Sequence, residues 1–127
     1  MISEILKNYQ AIIKSYEIHK FQQVGQSYAL VLEITFVNDY TLFAKDYLFL
    51  DGSRKYAFHF QDHQGVLIFR FDNAPHWKDI PTFPFHKHLP DRVVESEEMN
   101  LEKVFLEIDA YLKGQSDAGG EIHAATG

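Results

Sequence analysis

Several side chains suited to proton transfer and phosphate binding crowd one stretch of the chain. His59 and Arg70 sit in two short alternating runs, KYAFHFQ and VLIFRFD, and His76, His86 and His88 follow soon after. Imidazole titrates near neutrality, so a histidine can take up and return a proton at cellular pH. A guanidinium or an ammonium stabilises charge that develops on phosphoryl oxygens. Metal-free cleavage of RNA needs this set: a base at the 2′-hydroxyl, an acid at the leaving oxygen and cations on the phosphate. The catalytic candidates are therefore His59, Arg70, His76, His86 and His88. Lys55, Lys87, Asp72 and Trp77 are candidates for holding substrate, the lysines by charge and Trp77 by stacking on a base.

Other chemistries compete for the same residues. His86 and His88 are two apart, which in an extended segment puts both imidazoles on one side. With His76 and the Asp72 carboxylate they could ligate a metal. No spacing here matches a defined zinc pattern such as H-E-x-x-H, and the expectation is a site without metal or other cofactor. Plainer readings also stand. Alternating polar residues are what any one-sided sheet shows, so alternation alone makes His59 and Arg70 solvent-facing. Asp72-Asn73-Ala74-Pro75 reads as a turn, with Asp and Asn bonding nearby amides and proline ending the strand. Trp77, Phe83 and Phe85 can pin a loop to the domain, and Glu95, Glu97 and Glu98 read as helix-dipole partners on a solvated surface.

The elements that must position these groups follow from periodicity. Ile2, Ile5, Leu6, Tyr9, Ile12, Ile13 and Tyr16 recur at helical spacing, with Ser3 able to cap the first turn. From Tyr16 the pattern weakens into alternation that ends at Gly25. YALVLEITFV then alternates cleanly, with Leu30, Leu32, Ile34 and Phe36 on one face. Asn38-Asp39 makes a turn, YTLFAKDYLFL is a further strand, and Asp51-Gly52-Ser53 is a hairpin signal. A two-residue loop at His63-Gln64 would pair Asp62 with Gly65, Phe60 with Leu67, Phe58 with Phe69 and Tyr56 with Phe71. His59 then lies opposite Ile68 and diagonal to Arg70. Residues 73–92 hold all four prolines and read as a long loop that is neither helix nor inner strand. Its apolar content argues for order. The expectation is a loop lying across the sheet with Phe83 buried, bringing at least one of His76, His86 and His88 near His59 or Arg70. Asn100 caps a second helix, whose buried stripe is Leu101, Val104, Phe105, Ile108 and Leu112 and whose C′ residue is Gly114.

The predicted fold is α+β: an antiparallel sheet of four to five strands with an N-terminal and a C-terminal helix packed on one face. Residues 1–113 form a single domain and 114–127 a Gly/Ala-rich tail. The chain has 127 residues and no cysteine, so disulfides, Cys-ligated zinc and a thiol nucleophile are excluded. A net charge of −6 argues against broad, non-specific nucleic-acid binding. That average hides an asymmetry. Residues 52–92 carry half of the twelve Lys/Arg and five of the seven histidines, but only four of the eighteen Asp/Glu. No secretory signal and no apolar run long enough to span a bilayer is visible, so the expected location is the cytoplasm, with no membrane partner.

Residues 55–98 resemble the signature of the TumE family of toxin–antitoxin proteins. The matching residues are Lys55-Tyr56, His59, Gln61, Leu67 to His76, Thr82-Phe83-Pro84, His86-Lys87-His88 and Ser96-Glu97-Glu98. The resemblance implies the toxin half of a type II two-gene module, neutralised by a cognate antitoxin that commonly carries a helix-turn-helix domain. It also moves His59 and Arg70 from solvent face to site, because both fall on motif positions. Family members often carry further histidines where this chain has Trp77 and Phe85, which implies that neither is required. Size alone groups the protein with small toxins that cleave RNA, which is an analogy of class. The leading expectation is a toxin acting on RNA as a metal-independent ribonuclease-like enzyme. The alternatives are a non-enzymatic toxin or binding domain that occludes a target, and a His-ligated metal-dependent hydrolase.

Overall fold

The computed structural model describes residues 2–121, with side chains for residues 2–115. A short helix α1 (Ile2–Asn8) leads into seven strands: β1 (Ile13–Val24), β2 (Ser27–Phe36), β3 (Thr41–Leu48), β4 (Arg54–Gln61), β5 (Leu67–Asp72), β6 (His86–Leu89) and β7 (Arg92–Glu95). Helix α2 (Leu101–Glu121) follows. The strands form one antiparallel meander in which each neighbours the next in sequence. One face of the sheet is apolar. Leu30, Leu32, Ile34 and Phe36 of β2 alternate inward with Leu42 and Ala44 of β3, Tyr56, Phe58 and Phe60 of β4, and Phe69 and Phe71 of β5. Ile5 of α1 and Leu101, Val104, Phe105 and Ile108 of α2 join them in a single core. Tyr9 stacks on Phe105 at 4.9 Å, and Phe36 meets both Phe60 and Phe105 edge-on. Among the described residues the other face, the outer face, carries no helix.

The α+β order and the two terminal helices agree with the sequence reading; the strand count does not. Seven strands replace four or five, because His86–Leu89 and Arg92–Glu95 form a hairpin that starts inside the expected loop and runs past its end. The prolines flank these strands instead of interrupting them: Pro84 precedes β6, and Pro90 sits in the turn between β6 and β7. No ladder bond is lost to a proline there, so β6 is an inner strand, paired on both sides.

Three further expectations are corrected. The first helix stops at Asn8 and does not reach Tyr16; Ile13 onward pairs with β2. Ile12, Ile13 and Tyr16 satisfy a helical spacing, yet β-branched and aromatic residues fit a strand, and pairing along β2 decides. β1 is an edge strand with register shifts at Ile13/Ser15 and at Ile18/Lys20. Helix α2 runs past Gly114 to Glu121, and Gly114 lacks the positive φ of a C′ glycine. The tail expected from 114 is therefore helical as far as Glu121, and residues 122–127 lie outside the described residues. At the other end of α2, Asn100 caps as expected, its Oδ1 accepting from the Lys103 amide at 2.8 Å.

The β4–β5 hairpin is offset from the expected register by two. Its loop has three residues, not two: Gly65 N–H donates to the Asp62 carbonyl, and Asp62 N–H to that of Val66. Gly65 takes the left-handed conformation (φ 82°) that closes such a loop. A second shift of one lies between Phe60 and Gln61. Phe60 therefore faces Phe69, Phe58 faces Phe71 and His59 faces Arg70. Beyond the shift, a slip of two keeps the side chains on their predicted faces, so the aromatic side still points to the core; beside the loop the slip is one, and Ile68 packs against the core.

Candidate functional site

The outer face is where the polar residues of β4, β5 and β6 converge. Phe43, His59, Arg70 and His88 pair in register across β3, β4, β5 and β6 and form one row perpendicular to the strands. Registered neighbours have Cα atoms about 5 Å apart, so Arg70 has a histidine on each side within side-chain reach. One row along, Asp72 lies between Ala57 and His86.

Asp72 is the hub. It is only 6% exposed, and four groups converge on its carboxylate. Oδ1 accepts from the Ala74 amide at 3.1 Å and meets His86 Nε2 at 2.7 Å; Oδ2 accepts from Arg70 Nε at 3.1 Å and lies 3.4 Å from His88 Nε2. His86, only 2% exposed, is fixed from its other side as well, its Nδ1 lying 3.0 Å from the Pro84 carbonyl. Trp77, on the loop, stands edge-on to both His86 and His88 and shields them on that side. Arg70 uses only Nε in this network. Among the described residues its two terminal nitrogens have no partner, so the guanidinium presents an open fork suited to two oxygens of one anion.

Both outward histidines sit below the ordinary imidazole pKa. For His59 the largest cause is burial, opposed by the Gln61 side chain at 3.1 Å and reinforced by the Arg70 charge. For His88 burial again leads, and the Asp72 carboxylate opposes it. His59 is thus held as a neutral base, while His88 is the one whose cation has a carboxylate beside it.

The remaining candidates divide clearly. Lys55 is exposed on the outer face, one pair beyond Ala57 toward the start of β4. Lys87 is on the opposite face, its ammonium over the rings of Phe69 and Phe71 and 3.4 Å from Glu107 of α2. It is separated from the histidines by the sheet itself. His76 is exposed in the 73–85 loop and joins no described side-chain contact with them. Phe83 is 41% exposed, against the expectation that it is buried. The histidines approach Arg70 because β6 pairs with β5, not because a loop folds over the sheet.

Asp72, His86 and His88 each place a ligand atom within 4.8 Å of the others, so they could hold a metal. The Pro84 carbonyl would then orient His86 as such carbonyls orient metal-bound imidazoles. Against this, the carboxylate is already surrounded by four groups, two of them the donating Ala74 amide and Arg70 Nε, and the Arg70 guanidinium beside it opposes a dication. The fit is better for an anion in front of Arg70 than for a cation behind it.

Two neighbours of the site were not among the candidate site residues. Gln61 positions His59, and its signal was its place two residues on in the same alternating run. Phe43 leans over His59 with ring centroids 6.1 Å apart. Its signal was phase, since it falls on the polar side of a strand whose other side is Leu42 and Ala44. The Asp72-Asn73 turn has the structural role expected as well: Asn73 accepts from the Tyr56 amide and donates to the Arg54 carbonyl, tying β5 to β4. A separate charged group lies on the inner face. Arg54 bonds buried Asp46 and exposed Glu98, so Glu98 is an ion-pair partner as well as surface.

A seven-strand sheet with helices on one side and a histidine–arginine row on the other is the arrangement into which the motif residues fold. The family model described as Toxin TumE matches residues 2–112, and the chain belongs to this toxin family. No curated protein and no solved structure shows significant similarity to it. Among the described residues no helix is long and apolar enough to cross a membrane.

Proposed function

We propose that the protein is the toxin of a type II toxin–antitoxin module and that it cleaves RNA without a metal, on the outer face of the sheet. The observation that supports this best is Arg70 flanked in register by His59 and His88, with its terminal nitrogens open. A phosphodiester seated on Arg70 has a base on one side and an acid on the other. His59, neutral, takes the 2′-hydroxyl proton as that oxygen attacks phosphorus. The bond to the 5′-oxygen breaks, and His88, which takes up its proton against the effect of burial and with the help of the Asp72 carboxylate, gives it to the leaving oxygen. A 2′,3′-cyclic phosphate and a free 5′-hydroxyl result. Asp72 and His86 act as positioning residues that hold Arg70 and His88. The cognate antitoxin, with a helix-turn-helix domain as is common in the family, would neutralise the toxin in the cytoplasm.

The metal-dependent alternative is favoured by one observation, the three ligand atoms of Asp72, His86 and His88. A single experiment separates the two. Expression without antitoxin is expected to slow growth and degrade RNA, and His59→Ala or Arg70→Ala to relieve both while the purified variants stay folded. Removal of one proton-transfer group typically costs about 10²–10⁴-fold in rate. Full toxicity of both folded variants would reject the site. Cleavage that needs one equivalent of zinc or nickel, lost in a His86→Ala/His88→Ala double variant, would replace the metal-free mechanism with the metal one.

A further inference from the structure

The row of residues that seats the phosphate continues one strand beyond His59, and what stands there is an aromatic ring. Phe43 is 40% exposed on the outer face of β3 and pairs with His59 in the ladder. A core explanation is closed to it, because the core lies on the other side of the sheet with Leu42 and Ala44. On the β2 side it pairs in register with Glu33, and toward the start of β4 its surroundings are cationic. Lys45, two residues along the same face, is exposed, as is Lys55 in the row of Tyr47, and Lys20 of β1 sits over the Tyr47 ring at 5.9 Å. Among the described residues none of these three lysines is in an ion pair. The nearby carboxylates are occupied: Asp72 by Arg70, His86 and His88, and Glu33 by His19 at 3.0 Å. The outer face of a protein with net charge −6 thus has a local strip of open cations beside an exposed ring.

We propose that Phe43 is a stacking platform for an unpaired base and that Lys45 and Lys55 bind the backbone leading to it, so that the substrate is single-stranded RNA. This rests on the functional reading above and specifies its substrate. Phe43 and Arg70 are two strand spacings apart, about 10 Å, so one ligand can touch both. A base on Phe43 lies beside His59, which brings its ribose 2′-hydroxyl toward the proposed base. A duplex cannot use the platform, because its bases keep their faces against each other and an A-form helix presents shape and backbone instead. Stacking on an aromatic side chain also tolerates any base, so the platform selects for unpaired structure and not for sequence.

The test uses the purified full chain and two fluorescent probes, a mixed-sequence 12-nucleotide RNA and the same strand annealed to its complement. Anisotropy reads binding, and a denaturing gel reads cleavage. Wild type is expected to bind and cut the single strand in preference to the duplex. Phe43→Ala should weaken single-strand binding by about tenfold or more, the scale of one lost base stack, and leave duplex binding unchanged. Phe43→Trp should restore binding, and Val66→Ala, an exposed apolar control on the hairpin loop, should change nothing. Lys45→Ala/Lys55→Ala should reduce the salt dependence of binding. Arg70→Ala should abolish cleavage yet keep the single-strand preference. Phe43→Ala binding as wild type does, or equal cutting of duplex and single strand, would overturn the platform and leave the ribonuclease reading intact. Failure of wild type to bind or cut either RNA would overturn both.

Discussion

The two faces of this sheet are built from the same strands and obey different rules. On the inner face Phe36, Phe58 and Phe60 are fully buried, as is Phe105 of the helix that covers them, and these rings pack on other aromatic rings. On the outer face Asp72 and His86 are as hidden as core residues, but among the described residues every buried side-chain nitrogen and oxygen has a partner. Burial on the inner face comes chiefly from apolar packing, with Asp46 held by Arg54; on the outer face it comes from hydrogen bonds around one carboxylate. Residues one apart in sequence therefore answer to different physics. Phe58 holds the fold and His59 faces the site; Phe69 holds the fold and Arg70 faces the site.

That contrast breaks first at the core. Phe58→Ala should destabilise the protein by about 3–5 kcal/mol, a large part of the roughly 5–15 kcal/mol that holds an ordinary domain together. His59→Ala, its neighbour, should shift the denaturation midpoint little. Equal shifts for the two variants in urea unfolding would mean that the faces are not separable.

Asp72→Asn sharpens the comparison from the other side. The substitution keeps the shape but replaces one acceptor oxygen by an NH2, which meets either the Arg70 and His88 side or the Ala74 amide and His86 side with donors. The expected cost is about 1–3 kcal/mol from a buried network left unsatisfied, together with weakened toxicity as Arg70 and His88 lose their anchor. A variant as stable and as toxic as wild type would remove Asp72 from the positioning role.

The smallest expected effect is on pH dependence. His59 and His88 have folded-state pKa values below that of the unfolded chain, so the unfolded chain binds protons more readily. Stability from these two groups is present above the unfolded value near 6.5 and is lost as pH falls through their folded values. Both rings are partly exposed, so the loss is modest. Urea midpoints of wild type and of a His59→Gln/His88→Gln variant, measured from pH 7.5 down to 5, should converge as the pH drops. Parallel curves would show that the two histidines do not titrate differently on folding.

The inner face was largely legible from the chain. Alternation in β2 to β5 assigned Leu30, Leu32, Ile34, Phe36, Phe58, Phe60, Phe69 and Phe71 to the core, and a two-residue error in hairpin register left that assignment intact. His59 and Arg70 were legible as a pair for the same reason. What could not be read was β6. HKHL is four residues long, too short for periodicity to declare itself, and its flanking prolines argued for a loop. Missing the strand misplaced Lys87, because adjacent residues of a strand face opposite ways and Lys87 lies between the two histidines. The helical spacing of Ile12, Ile13 and Tyr16 misled in the opposite sense, since the partner strand that claims them begins fourteen residues later.

The irregularities in β1 bear on how the protein survives at high concentration. A meander that never closes into a barrel leaves two raw edges, and an edge of unpaired amides can recruit another chain into a growing fibril. β7 is only four residues long, but β1 has twelve. Its two register shifts fall where Lys14 and His19 leave the ladder, and these residues pair with Asp39 and Glu33. Bulges twist an edge out of the plane that a flat stack needs, and Lys14, Glu17 and Lys20 add charge along it. The longest exposed border of the molecule is thereby a poor template for cross-β assembly.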